Sequence, residues 1–553
     1  MASLARGASL RAARAAFRSS VAPFLPRVPA RAAASMGTVA MSCGNGDFGR
    51  LGHGVAGSGD AALGLSADRF RPMLGLPPDA SVRAVSAGGA HTAVVTGDGR
   101  VWTCGLDDHA QLGRATTASA PSTTLAPVEG LPEHDPVVAV AAGHHHTLCA
   151  TASGEVWAFG RNDRGQCGLG PDAPAVVESP AWVAALSPHH HHAEPHGGVR
   201  RLAAGPDRSF AVTRRGALFS WGANDEGALG HGGEGRTPPS SGGAGGFRGG
   251  GGFFGGSFSF FGGFFSRLVA GRGDESTPRL VRALADANAR VVDVRCGLAH
   301  AACLDDRGVV RVWGGGRLGQ LSVDDARADT PTEAAPELIG GGRGGSPRVR
   351  LLALGGNFGV AARADGANGH GLVAWGANGN GELGLGEKRT HRARRGSGPR
   401  PVESFESGSS GSGSGAGVYG AGSRVARLAA GWRHAMAATE DGRLFAWGWG
   451  GSGGQHGDEA FSSGGQLGLG NGEGDFWAPA RVPGFGPPAS ARASGETVGR
   501  VVDVSCGFNH SVVIVDTGEG EGGGDDGDEA MPRARERRER ERRERRERRS
   551  ARC

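Results

Sequence analysis

Hydrophobic positions recur in one frame seven times along the chain. Each copy reads V-x-x-[V/L]-x-x-G, running from Val82, Val137, Val199, Val291, Val349, Val425 and Val501. The step ends at Gly88, Gly143, Gly205, Gly297, Gly355, Gly431 and Gly507. Three residues further stand His91, His146, Arg208, His300, Phe358, His434 and His510. A second Gly follows eight residues later in every copy, Gly99 being the first. Then comes a short apolar run ending in Gly: "VWTCG", "VWAFG", "LFSWG", "VRVWG", "LVAWG", "LFAWG". These segments are short and rich in β-branched and aromatic residues, which predicts strands. The T-x-D-G or T-x-x-G between them predicts hairpin turns, where Gly adopts positive φ at no steric cost. A further strand is expected near Pro in "RPMLGL", "APVEGL", "TPRLVRAL" and "RPVESF".

Each unit is therefore expected to be a four-stranded sheet. One such sheet cannot bury both faces alone, but radial stacking buries them all. The count is uneven. Seven leading halves are present, but the last, "VVDVSCGFNHSVVIVDTG", has no aromatic strand after it. The missing half stands at the other end, in "VAMSCGNGDFGRLGHG", with Cys43-Gly44 in the Trp-Gly place. The fold expected is all-β: a seven-bladed β-propeller over residues 37–518, closed by N-terminal strands joining the C-terminal half-blade. Low-complexity insertions are set at about 231–277 and 387–423. The first holds eight Phe among Gly and Ser and reads as a loop.

Composition removes several readings. The chain has 553 residues and 104 Gly, so the G-x-G-x-x-G at Gly44, Gly46 and Gly49 carries little weight. No helix pattern follows it, and a nucleotide cradle is rejected. Only one Lys is present, Lys388, and no Gly-Lys-Ser/Thr exists, which excludes a P-loop. Eight Cys show no C-x-x-C, so neither a zinc finger nor a disulfide framework is expected. No apolar run is long enough to span a membrane.

Charge sits at the ends. Residues 1–46 carry six Arg and no acid, and 1–36 is expected to be a transit peptide. Mitochondrion is favoured over plastid because Arg outweighs Ser and Thr; nucleus and cytoplasm are the alternatives. Residues 519–553 turn from acidic to Arg/Glu-rich, with i,i+4 pairs such as Glu536–Arg540 and Glu544–Arg548. That tail is expected to be disordered or a single charged helix, able to bind RNA or DNA through its Arg surplus. The body between is close to neutral, so no broad nucleic-acid face is expected there.

No catalytic set and no cofactor are expected. The repeat residues Gly88, His91, Gly143, His146, Gly297, His300, Gly431, His434, Gly507 and His510 are read as structural, each His bonding neighbouring backbone. One His per blade is too dispersed for one metal. The clusters His144–His146 and His189–His192 are likewise not read as a metal site. The turns after the Trp-Gly strands project from one rim. Asp107, Asp108, Asn162, Asp163, Arg164, Asn224, Asp225 and Glu226 are the candidate partner contacts.

The repeat V-x-x-V-x-x-G-x-x-H…T-x-D-G-x-V-W-x-W-G resembles the regulator of chromosome condensation repeat, whose members are seven-bladed propellers. The resemblance covers roughly residues 38–518. It implies a monomeric, non-enzymatic scaffold or assembly factor, organellar if the leader acts. The family also includes exchange factors for small GTPases and chromatin-binding members, and these are the alternatives. One plant branch is an ultraviolet-B receptor built on clustered Trp from "GWRHT" motifs. Here the motif occurs once, at Trp432, so photoreception is set aside.

Overall fold

The computed structural model describes residues 37–54, 66–116, 122–188, 197–232, 273–323, 326–335, 349–364, 371–386, 398–403, 424–451, 464–470, 474–487 and 499–518. The leader, the Phe-rich stretch, the Gly/Ser stretch 404–423 and the Arg-rich tail lie outside the described residues.

The described chain forms seven four-stranded antiparallel sheets. Blade 1 runs Val82–Ala87, His91–Thr96, Val101–Gly105 and Ser122–Pro127. Blades 2 to 6 repeat this order over residues 137–182, 199–280, 291–333, 349–401 and 425–481. Blade 7 joins the two ends of the chain. Its inner strands are Arg500–Cys506 and His510–Asp516, and its outer strands are Thr38–Gly44 and Ala67–Pro72. Thr38–Gly44 pairs with His510–Asp516 over seven positions, from Thr38 opposite Asp516 to Gly44 opposite His510. The expected fold and its closure are thus observed. The insertions are narrower than expected. The outer strand of blade 3 starts at Glu275, and the short strand Arg400–Pro401 lies within 387–423. Both pair with an aromatic-Gly strand, which sets where they begin.

The V-x-x-V spacing has a local cause. Residues three apart in a flat strand face opposite sides. In all seven inner strands the register shifts just after the first Val, as between Val82 and Ala84. That bulge brings Val82 and Val85 both into the core.

The repeat Gly residues are required by close approach between blades. A Cβ on Gly88 would stand 2.6 Å from the Gly143 carbonyl oxygen, and one on Gly507 would stand 2.5 Å from that of Gly88. At this rim the next residue donates its N–H to the following blade, as Gly89 to Gly143 (3.0 Å), Trp432 to Gly507 (3.2 Å) and Phe508 to Gly88 (3.2 Å). Blade 3 carries Pro206 there and has no N–H to give. Arg208 bridges that seam instead, donating to the Leu298 carbonyl at 3.1 Å.

Among the described residues, four of the five repeat His bond a hydroxyl of the next blade rather than the neighbouring backbone expected from sequence. His91 Nε2 lies 2.9 Å from Thr147 Oγ1, and His146 Nε2 lies 2.9 Å from Ser209 Oγ. His434 Nε2 lies 2.9 Å from Ser511 Oγ, and His510 Nε2 lies 3.0 Å from Thr92 Oγ1, across the closing seam. Each hydroxyl spends its one proton on a loop carbonyl, as Thr147 does on Gln111 at 2.8 Å. The ring Nε2 must therefore carry the proton and donate. Burial holds these rings neutral: His91, His146, His300 and His434 are pushed down to about 3.

Candidate partner-binding face

Consecutive strands alternate in direction, so the turn after the first strand and the loop after the third strand emerge on the same face. The first set rings the mouth of the central channel. The second set carries the sequence-predicted contacts and surrounds it.

Three of those predicted residues build the loops themselves. Asp107 Oδ1 accepts from Leu112 N at 3.0 Å, Asn162 Oδ1 from Cys167 N at 3.0 Å, and Asn224 Oδ1 from Leu229 N at 3.1 Å. Such an Asx bond fixes a loop without secondary structure. Asp163, Arg164, Asp225 and Glu226 reach outward into ion pairs. Arg164 holds Asp274 through Nε at 2.5 Å and Nη2 at 3.0 Å, and Asp225 at 3.1 Å. Its bond to Asp274 raises its pKa. Arg161 lies 2.5 Å from Asp163 and 3.8 Å from Asp207. Arg317 pairs with Glu226 at 3.2 Å. Burial raises the Asp108 carboxyl, but His145 and Gln111 outweigh it and hold it below the usual carboxylate range.

The structure adds an aromatic run across the channel mouth that sequence reasoning missed. His144 of blade 2 stacks on Phe508 of blade 7 at 4.8 Å between ring centroids. Phe508 stacks on Trp432 of blade 6 at 5.1 Å, and Trp432 meets Trp449 edge-on at 6.1 Å. Arg433 lies over Trp432 at 4.3 Å and near Trp449 at 5.9 Å. Gly89 lets His144 reach past blade 1, since a Cβ there would stand 2.2 Å from His144 Cδ2. Burial, then the charges of His145 and Arg161, push His144 down to about 4. Trp432 thus has a Trp neighbour, Trp449, which lies outside the repeated motif. Cys296 and Cys506 are half-buried at this same mouth.

Ser42 and His53 stand 2.8 Å apart, but the Ser42 hydroxyl is buried and donates to the Leu51 carbonyl at 2.6 Å. It is a loop fastener, like Ser220 with Leu229, and not a nucleophile. Among the described residues, no helix is long and apolar enough to cross a membrane.

Residues 39–513 match the RCC1-like domain. The chain belongs to that family. Human Protein RCC2 is 30% identical over 260 residues, 47% of this chain and 44% of that protein. The chain thus spans less than half the length of that relative. The Ultraviolet-B receptor UVR8 of Arabidopsis thaliana is 25% identical over 439 residues, 78% of this chain and 75% of the receptor. Two solved structures share the fold. Human WBSCR16 has a TM-score of 0.61 and 21% identity, covering 87% of this chain and 99% of its own. Prp20p of Saccharomyces cerevisiae has a TM-score of 0.60 and 21% identity, covering 87% and 92%, and is described with its binding to Gsp1p and histones.

Proposed function

We propose that this RCC1-like propeller is a non-enzymatic, monomeric scaffold or assembly factor whose protein partner docks on the channel-mouth face. The observation that carries this reading is the continuous run His144–Phe508–Trp432–Trp449 with Arg433, beside the Arg-acid arc of blades 2 to 4. Aromatic side chains and Arg dominate binding energy at protein interfaces, and rim charges set the register of docking. The Arg-rich, acid-free leader supports delivery to an organelle, with the mitochondrion first. The Arg surplus of residues 531–553 supports an added contact to RNA or DNA.

A second reading is nucleotide exchange on a small GTPase. It is supported by the description of Prp20p with Gsp1p. Exchange works by binding that displaces a nucleotide, so it needs no catalytic triad. Chromatin binding follows from the same protein's histone partner and is the third reading. Release of labelled GDP from a panel of small GTPases separates the first two. The scaffold reading expects no acceleration; acceleration by the full chain, lost in Trp432→Ala/Arg433→Ala, would replace it with exchange. Imaging a fusion with a free N-terminus tests location, and a nuclear signal would overturn the organellar reading.

A further inference from the structure

At the seam of blades 1 and 2, a loop and a turn bring three metal-ligating side chains to one point. The ligating atoms of Asp108, His109 and His145 all lie within 4.8 Å of one another. His145 Nδ1 stands 3.5 Å from Asp108 Oδ1, and His109 Nε2 stands 3.9 Å from Asp108 Oδ2. Around a tetrahedral ion with bonds near 2.0–2.2 Å, ligand atoms stand roughly 3.3–3.6 Å apart. Small side-chain rotations therefore suffice. His145 Nδ1 is buried, and its 3.5 Å approach to Asp108 Oδ1 lacks hydrogen-bond geometry.

The supports of these side chains are already set. Gln111 donates to Asp108 Oδ1 at 2.8 Å and accepts from His109 N at 2.9 Å, so one buried amide orients two ligand-bearing residues. His145 lies in the inner turn, where its carbonyl accepts from Arg161 N at 2.8 Å. Such outer contacts are what a metal site needs before the ion arrives.

The next seam supplies the comparison. There Asp163 and Asp207 occupy the places of Asp108 and His145, and Arg161 bridges them. The place of Arg161 in blade 1 is held by Leu106, which offers no cation. A dication would do at the first seam what the guanidinium does at the second. The donor set of one carboxylate and two imidazoles suits zinc better than calcium or magnesium.

We propose that Asp108, His109 and His145 bind one zinc-type dication that clasps the loop of blade 1 to the turn of blade 2. Three protein ligands leave a fourth position for water. The sequence alone did not suggest this, because the ligands come from two repeats and only Asp108 and His109 are adjacent.

The test uses the full chain with His189, His190, His191, His192 and His196 replaced by Ser, so that the count of bound metal excludes that run. The protein is stripped with a chelator and titrated with Zn²⁺ and with Co²⁺. The expected result is one equivalent bound, visible Co²⁺ bands of a four-coordinate site, and a rise in melting temperature that chelator reverses. His109→Gln and His145→Gln should each weaken binding at least about tenfold. His134→Gln, on an exposed connection of the opposite face, should not. His109 is half-exposed, so its variant should keep the metal-free melting temperature and separate ligation from folding. Absence of stoichiometric binding, or unchanged affinity in His109→Gln, would overturn the proposal.

Discussion

Blades 7, 1 and 2 and blades 4, 5 and 6 seal the same gap with different chemistry. In every blade the loop of the preceding blade presents one buried carbonyl. In the first arc a hydroxyl takes it: Ser511 on Gln466 at 2.8 Å, Thr92 on Arg50 at 2.7 Å and Thr147 on Gln111 at 2.8 Å. In the second arc an indole takes it: Trp313 on Ala228 at 2.8 Å, Trp375 on Gln320 at 3.0 Å and Trp447 on Glu382 at 2.9 Å. Blade 3 stands between and uses both, with Ser209 at 2.7 Å and Trp221 at 2.9 Å from the Gln166 carbonyl. Volume across the strand pair decides the choice. The hydroxyl residues lie opposite Cys43, Cys104 and Phe159, whereas Trp313, Trp375 and Trp447 lie opposite Ala301, Gly359 and Ala435. A Cβ on Gly359 would stand 2.2 Å from Trp375. What each seam maintains is a satisfied carbonyl, not one residue type, because an orphaned buried acceptor costs about 1–3 kcal/mol.

The difference also reaches the His belt. It is unbroken where hydroxyls recur, from blade 6 through 7, 1 and 2 to blade 3. At His300 the next blade offers Gly359, and both nitrogens of that buried ring lack a hydrogen-bond partner among the described residues. At blade 5 the position is already Phe358.

The largest break comes at the closing seam, inside the hydroxyl arc. Deleting residues 38–54 removes a strand paired at seven positions and the carbonyl that Thr92 uses. Cooperative thermal unfolding should be lost. Deleting 1–36 should leave the melting temperature nearly unchanged, and equal melts for the two deletions would contradict the clasp.

Acid should strain the His-bearing seams next. Four of the five repeat His are held at about 3 by burial and the fifth, His510, lies well below its ordinary value. The unfolded chain takes up these protons near pH 6.5, before the folded chain does. Stability is thus full above about pH 6.5 and falls as the pH drops towards 3, by up to about 1.4 kcal/mol per His per pH unit. Urea unfolding at pH 7 and pH 5 should show a lower midpoint at pH 5; an unchanged midpoint would argue against neutral buried rings.

Single substitutions sharpen the contrast between arcs. Trp375→Ala opens a cavity and orphans the Gln320 carbonyl, and should cost about 3–5 kcal/mol in denaturant unfolding. Thr147→Val keeps the volume but orphans the Gln111 carbonyl and His91 Nε2, and should cost about 1–3 kcal/mol. Equal costs would mean that packing alone sets the seam.

Much of this was legible from spacing. The Gly after each inner strand marks the closest approach of blades, and counting half-units placed the closure at Thr38–Gly44. The site was less legible. Asp274 meets Arg164 across a long insertion, and Trp449 stands in "WGWG" with no counterpart in other repeats. His144 reaches Phe508 only because Gly89 lies between them in the ring. None of these pairings has a sequence period, since each depends on which blades become neighbours. The loop roles of Asp107, Asn162 and Asn224 were hidden for another reason: a capping Asx and a projecting one look alike in sequence.

The most direct measurement is the pair His91→Phe and His300→Phe, compared by equilibrium unfolding at pH 7. His91 donates to Thr147 across a hydroxyl seam; His300 faces Gly359 across an indole seam. The seam account predicts a loss of about 1–3 kcal/mol for His91→Phe, and a smaller loss, or a gain, for His300→Phe, where no hydrogen bond is given up. Equal losses in the two variants would contradict it.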